Sequence, residues 1–323
     1  MSARGNLLEE PVERAARVVA LDLLGRASKH RARLNNKRNT EALHDFRVAV
    51  RRLRSWVRAL DTWLEDSVPS KARRRLRKAA RATNASRDAD VRLVWLRSLR
   101  NQLSPAERPG LNWVMKQISD ARAKTFESDV GQGARAFDRA EKKLDRTLRE
   151  YRVTIADDDD DASPGFSVVM GQLIREHAND LSERLRQVHA IRNTRQIHVA
   201  RIAAKRLRYL MNPLEDIVPG VKELDAQLGK LQDALGDSHD VTSFARDLAD
   251  LVRDLPPDDE KLAPGISAIR SRLRARAAET FAVVEPWLAG DAAALIERVT
   301  TIADALSPQH RPVLALVQDQ STA

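Results

Sequence analysis

A cationic pattern around a histidine occurs twice in the chain, 154 residues apart. The first copy runs from Thr40 to Arg54 and the second from Thr194 to Tyr209. In each copy a Thr lies four residues before a His, and basic residues follow the His at three, seven, eight and ten positions. Arg and Lys side chains in such a row can hold phosphate oxygens by charge-assisted hydrogen bonds. The pattern therefore predicts binding of an extended polyanion.

Helical geometry places the cations of each copy on one side of a helix. At about 100° per residue, those of the first copy fall within roughly 80° of one another. They are His44, Arg47, Arg51, Arg54 and, one turn later, Arg58, and the residues opposite are the apolar Phe46, Val50, Leu53, Val57 and Leu60. The second copy sets His198, Arg201, Lys205 and Arg208 against the apolar Ala200, Ala204, Leu207, Met211 and Leu214.

Further cations complete the predicted site. A third helix repeats the spacing with Lys in place of His, at Lys71, Arg74, Lys78 and Arg81. Arg122 and Arg276 lie in the similar segments A-R-A-K-T-F and A-R-A-A-E-T-F, again 154 residues apart. We predict that both signature faces line one shared groove, with a second tier formed by Arg74, Lys78, Arg81, Arg122, Lys230 and Arg276. Arg52 and Arg206 are expected at its edge, or paired with acidic residues.

Composition agrees with a polyanion ligand and excludes several other kinds of site. The 56 Lys and Arg residues outnumber 46 Asp and Glu, which gives a net charge of +10. This balance favours nucleic acid, an anionic membrane surface or another polyanion, without choosing among them. The chain has no Cys, so disulfides, thiolate metal sites and cysteine nucleophiles are excluded. No uncharged run approaches the roughly 20 residues that cross a bilayer, and we expect a soluble, cytoplasmic protein.

The elements that position these residues are predicted to be helices throughout, because apolar residues recur with a 3.6-residue period and strand signals are scarce. Turns are expected at Ser86–Asp90, with Asp88 as a helix cap, and at Gly236–Val241, and a break is expected near Gly131–Gly133. The predicted fold is all-α, with two pseudo-twofold-related four-helix bundles built by internal duplication and a basic groove between them. The predicted parts are an N-terminal half over 1–156, an acidic linker over 157–165 and a C-terminal half over 166–323.

Four segments resemble the CHAD family, named for conserved histidines in an α-helical domain, and the resemblance covers about residues 10–306. They are H-D-F-R-V-A-V-R-R-L-R at 44–54, R-D-A-D-V at 87–91, H-V-A-R-I-A-A-K-R-L-R-Y at 198–209 and L-G-K-L-Q-D-A-L-G-D-S-H-D-V at 228–241. The resemblance implies two four-helix bundles with a basic groove, and binding of inorganic polyphosphate. It also implies a cytoplasmic location, with association to polyphosphate or polyester storage granules and with granule proteins as partners.

Catalysis is not expected. Many members of the family carry a fused CYTH domain that hydrolyses triphosphate, but the E-x-E-x-K motif of that domain is absent here. The dipeptides His44-Asp45 and His239-Asp240 resemble those of metal-dependent HD phosphohydrolases. That family needs further His and Asp ligands, and His30, His177 and His189 are not arranged to supply them. We therefore predict a protein that is not an enzyme, with no cofactor and no metal site.

Two alternatives stay open at this stage. His44 and His198 could contact phosphate, where protonation near neutral pH would strengthen binding, or they could be structural or metal-ligating. The alternative function is a nucleic-acid-binding module that uses the same charge non-specifically. Aromatic residues make up only 4% of the chain, which gives no interleaved surface for stacking bases. The tryptophans are assigned to the core: Trp56, Trp63, Trp95, Trp113 and Trp287.

Overall fold

Helices account for almost all of the described chain, as the 3.6-residue periodicity predicts. The computed structural model describes residues 7–34, 40–82, 84–150, 163–253, 255 and 260–307, and within these ranges it contains no β-strand. The α-helices there are α1 Val12–Arg33, α2 Thr40–Ala59, α3 Ser70–Ala82, α4 Asn84–Leu99, α5 Arg108–Arg149, α6 Phe166–Arg186, α7 Thr194–Met211, α8 Val221–Arg253, α9 Ala263–Pro286 and α10 Ala292–Leu306. The all-α fold is thus confirmed.

The two signature helices bury the sides that the sequence predicts. On α2 the buried residues are Phe46, Val50, Leu53, Val57 and Leu60, each at most 3% exposed. On α7 the apolar set opposite the cations is also fully buried: Ala200, Ala204, Leu207 and Met211, followed by Leu214 in a short 3-10 turn. Burial of these faces fixes the rotation of each helix, and so it fixes the direction in which the cations point.

A large apolar core lies between the helices of both halves. Helices α1, α2, α3 and α5 pack against one another, as do α6, α7, α8 and α10. Contacts of α1 with α6 and of α2 with α7 join the two groups. At the join, the ring of Trp56 is completely buried near Phe166, and its Nε1 donates to the carbonyl of Ala16 at 3.0 Å. The core is therefore continuous across the two halves.

A second, smaller core draws on both halves as well. It is formed by α4, the first part of α5, the last part of α8 and the first part of α9. Helices α5 and α9 touch at Gly110 and Gly265, where a Cβ on Gly265 would lie 2.0 Å from the carbonyl oxygen of Glu107. Only glycine permits so close an approach of two backbones. Helices α5 and α8 run through both cores.

Three details of the predicted elements are wrong. Residues 86–90 belong to α4, residues 131–133 lie within an unbroken α5, and residues 236–241 lie within α8. Clusters of Gly and Asp usually indicate turns, but tertiary packing offsets the cost of about 1 kcal/mol for each helical glycine. Internal duplication and the division into halves remain predictions, and residues 157–162 of the proposed linker lie outside the described residues.

Two further features bear on the predictions. None of the helices in the described ranges has the length and apolar character needed to cross a membrane. The assignment of the tryptophans to the core agrees with the structure, since Trp56 is buried and the other four are partly buried against one of the two cores.

Candidate anion-binding site

Cations from the two signature helices meet at Lys205. Its pKa is lowered to about 7, first by burial and then by the positive charges of Arg201 on α7 and Arg51 on α2. Asp240 and Asp233 on α8 oppose this shift without cancelling it. Since Arg51 and Lys205 come from different copies of the repeated pattern, the fold brings the two cationic faces within electrostatic reach of each other.

Several arginines surround Arg54. Burial lowers its pKa most, and the positive charges of four arginines lower it further: Arg58, Arg77, Arg51 and Arg81. Burial and Arg58 likewise lower the pKa of Arg206, against a smaller opposing effect of Asp180. We call this connected set the central cationic cluster, comprising Arg51, Arg54, Arg58, Arg77, Arg81, Arg201, Lys205 and Arg206.

Grouping these charges costs free energy. At an effective dielectric constant of about 20, two like charges at short range repel by several kcal/mol, and partial burial reduces screening by salt. The pKa values of Arg54, Arg206 and Lys205 are lowered first by burial and then by neighbouring cations, so this repulsion adds to the cost of desolvation. An anion that contacts several of these groups at once would relieve it.

Carboxylates border the cluster on the side of α4 and α8. The pKa of Asp88 is raised by partial desolvation and by Asp240, against the opposing charge of Arg47. The pKa of Asp237 is raised in the same way, while Arg276 opposes the rise. Arg47 is itself only 6% exposed. In the described part of the chain, no three His, Asp or Glu side chains are grouped so that they could hold a metal ion.

The histidine of the second signature is paired with another histidine. Nδ1 of His198 lies 3.0 Å from Nε2 of His239 on α8, and both rings are partly buried. Burial and the nearby cations Arg201 and Lys205 lower the pKa of His198. Burial and His198 lower the pKa of His239 to about 4. Lowered pKa values favour the neutral form of both rings near pH 7, and a contact of His198 with phosphate stays a prediction. His44 is exposed on α2.

Two glycines of α8 make room for arginines of α7. A Cβ on Gly236 would lie 3.1 Å from Nε of Arg201, and one on Gly229 would lie 3.3 Å from Cζ of Arg208. Arg208 also donates from Nε to Asp225 at 3.0 Å, and that carboxylate is 7% exposed. The seven-residue spacing of the glycines matches that of the arginines, because two helix turns separate the members of each pair. Both guanidinium groups are thus seated against α8.

The predicted site residues fall into separate environments. Those in the central cationic cluster are Arg51, Arg54, Arg58, Arg81, Arg201 and Lys205. Two others are held by carboxylates, Arg122 by Asp90 at 2.7 Å and Arg208 by Asp225. Arg47 and Arg276 lie near the acidic border. Lys78 lies in a cleft between α3 and α5, while Arg74, Lys230 and His44 are exposed.

Several residues near the site were not selected from the sequence. Arg77 was passed over because the spacing rule singled out Arg74, Lys78 and Arg81 on the same helix. Two partners lie on α8: Asp225 binds Arg208, and His239 binds His198. Both contacts depend on how α8 packs on α7, which no local sequence pattern predicts. A seven-residue spacing of Gly229 and Gly236, matched to that of Arg201 and Arg208, was the available signal.

Comparison with known proteins identifies the fold and the family. The structure is similar to the CHAD domain from the plant Ricinus communis, with a TM-score of 0.59 and 18% identity over 92% of this chain and 93% of the other. It is also similar to PptA from Streptomyces chartreusis, with a TM-score of 0.68 and 15% identity over 86% and 99% of the respective chains. Among curated proteins, none matches the chain by sequence.

The match to the family covers both signatures. A family model of the CHAD domain matches residues 19–246, a range that contains α2, α3, α4, α5, α6 and α7 whole and most of α1 and α8. The central cationic cluster lies entirely within that range. On this match, the chain belongs to the CHAD domain family.

Proposed function

We propose that the protein binds inorganic polyphosphate along the central cationic cluster. The observation that carries the proposal is the packing of α2 against α7, which brings Arg51 close enough for its charge to lower the pKa of Lys205. A flexible chain with about one negative charge per phosphate unit can contact many of these groups in sequence. A compact anion would reach only a few of them.

The chemistry of the cluster suits phosphate better than bases. Arg offers planar pairs of N–H donors for phosphate oxygens and keeps its proton at physiological pH. Aromatic side chains that could stack on bases are buried in the described part of the site, since Trp56 is 0% and Tyr209 is 9% exposed. We therefore favour a phosphate chain over nucleic acid, and binding over catalysis, with granule association as the expected setting.

Direct titration tests the proposal. Long-chain polyphosphate is titrated into wild type, into Arg54→Gln/Arg58→Gln, and into Arg270→Gln/Arg274→Gln as a control with the same loss of charge. The control residues are exposed on α9. Each charge-assisted contact contributes about 1.5–3 kcal/mol in a partly desolvated setting, so we expect the loss of two contacts to weaken binding about a hundredfold or more. The salt dependence of the cluster variant should be shallower by about 1.4–1.8 units of the log–log slope.

Two further readouts separate the alternatives. RNA is added as a competitor, and a polyphosphate complex displaced by equimolar RNA at moderate salt would favour the nucleic-acid alternative. Polyphosphate is also incubated with the protein and Mg²⁺ or Mn²⁺, and its chain length is followed on a gel. A shortened ladder would indicate hydrolysis. Equal affinities of the cluster and control variants would contradict the assignment of the site.

A further inference from the structure

A second basic surface lies on the side of α3 that faces α5, away from Arg77 in the central cationic cluster. A cleft at the seam between α3 and the second part of α5 is lined by Arg75, Lys78, Gln132, Arg135, Ala136 and Arg139. Four of these six residues carry a positive charge, two from each helix. Neither signature helix contributes a residue to the cleft, and apart from Lys78 its residues were not selected by the repeated pattern.

Internal contacts hold the cleft in shape. Nη1 of Arg75 donates to the carbonyl of Arg139 at 3.1 Å, which ties α3 to α5 across the seam. Arg135 lies along Gly131, where an added Cβ would be 3.3 Å from its Nη1. Gln132 donates to the hydroxyl of Ser128 at 3.1 Å. The partners in these contacts are neutral, so none of them offsets the positive charges of the cleft.

No described carboxylate neutralises this cleft. Among the side chains that the structure describes, none of the Asp and Glu residues forms an ion pair with the four cations. The nearby Asp138 on α5 is held instead by Arg31 on α1, with Nε and Oδ1 2.8 Å apart. A cleft with four cations and no paired carboxylate is suited to an anion, and the fork of an arginine is suited to phosphate oxygens.

The exposed face of α3 connects this cleft with the central cationic cluster. Arg77 and Arg81 of α3 belong to the central cationic cluster, and their charges lower the pKa of Arg54. Arg75 and Lys78 line the cleft between α3 and α5. At about 100° per residue, Arg74 falls between Arg81 and Lys78, and it is exposed. A basic path therefore runs over α3 from one flank to the other.

We propose that the α3–α5 cleft is a second phosphate-binding site, which a long polyphosphate chain reaches by crossing α3 from the central cationic cluster. This inference rests on the polyphosphate binding proposed above. It makes the protein sensitive to chain length, because a short oligophosphate in the cluster has too few phosphate units to cross α3 and also reach Arg135 and Arg139 on α5. A long chain gains the contacts of both sites within one molecule.

The test compares two ligands on matched variants. Arg135→Gln/Arg139→Gln removes two exposed guanidinium groups from the cleft and keeps the carbonyl that accepts from Arg75. Arg270→Gln/Arg274→Gln is the control, and Lys78→Gln is a second cleft variant in case the first one fails to fold. Each is titrated with tripolyphosphate and with long-chain polyphosphate, after circular dichroism has established that it is folded.

We expect the cleft variant to bind long-chain polyphosphate about threefold to tenfold more weakly, with unchanged affinity for tripolyphosphate and an unchanged control. Unchanged binding of the long chain would overturn the inference. An equal loss of affinity in the control variant would also overturn it, because it would show a general effect of net charge. So would an equal loss of affinity of the cleft variant for tripolyphosphate and for the long chain. If wild type bound neither ligand, the proposed function itself would fail, and the wild-type titration shows this first.

Discussion

Nδ1 of His198 and Nε2 of His239 lie 3.0 Å apart, so a histidine of the second signature helix shares a hydrogen bond with a histidine of α8. A donor on one ring must face a lone pair on the other, and both rings therefore cannot be protonated at once. Burial and the positive charges of Arg201 and Lys205 lower the pKa of His198, and these effects favour the neutral ring.

This pair makes stability depend on pH. The pKa of His239 is about 4 in the folded protein and about 6.5 when unfolded, so the unfolded chain binds more protons between these values. Stability is complete above about pH 6.5 and falls as the pH decreases towards 4. For a partly exposed ring we expect a contribution of roughly 1–2 kcal/mol.

The measurement is urea unfolding at about pH 5 and about pH 7. His239→Gln keeps a side-chain hydrogen-bonding group and removes the titration, so its free energy of unfolding should fall less between the two pH values than that of wild type. Parallel pH dependence in the two proteins would contradict the assignment.

Lys205→Met should raise stability while weakening the binding of anions. The folded pKa of Lys205 is about 7 against 10.5 unfolded, so wild type is penalised fully below pH 7 and gains stability as the pH rises towards 10.5. We expect the variant to be more stable than wild type by about 1–3 kcal/mol at pH 6, and by less at pH 9.5. Exposed Lys222→Met on α8 is the control, and urea unfolding is the measurement. Destabilisation at pH 6 would contradict the prediction.

Polyphosphate binding should draw a proton from solution at about pH 8. Lys205 is then mostly neutral, and a phosphate beside it raises its pKa because the anion favours the charged form. Calorimetric titration in buffers of different ionisation enthalpy measures the uptake, and we expect a fraction of one proton for wild type and none for Lys205→Met. Equal uptake by the two proteins would assign the proton to another group.

Gly236→Ala should separate affinity from stability. The new Cβ would lie 3.1 Å from Nε of Arg201 and displace the guanidinium group from its seat, so we expect polyphosphate affinity to fall by about threefold to tenfold. Alanine also favours the helix by about 1 kcal/mol, which offsets strain in the folded state. Gly25→Ala on α1 is the matched control, since nothing lies within 4 Å of its Cβ. Equal polyphosphate affinities of the two variants would show that the position of the Arg201 guanidinium group beside Gly236 does not affect binding.

Local patterns predicted the helices better than they predicted the site. The buried sides of α2 and α7 follow from periodicity alone, since Phe46 and Leu207 lie where a helical wheel places them. The continuity of α8 through Gly236 does not follow from periodicity. The space beside this glycine is filled by Arg201, which lies on another helix.

The site required knowledge of which helix faces which. The repeated pattern led to Arg51 and Lys205, and the charge of Arg51 does lower the pKa of Lys205. It also led to Arg208 and Arg122, whose guanidinium groups are held by Asp225 and Asp90. The spacing of residues within a helix predicts the side on which a charged side chain lies. Its ion-pair partner depends on tertiary packing, which the sequence of a short segment does not predict.

Helix α8 has a mechanical consequence. Its 33 residues form a rod of about 50 Å, embedded at one end in the larger core and at the other in the smaller one. Gly236 and His239, which touch the signature helix α7, lie near the middle of that rod. A tilt of one end of this rod relative to the other would displace Gly236 and His239 at its middle, and with them the contacts to Arg201 and His198.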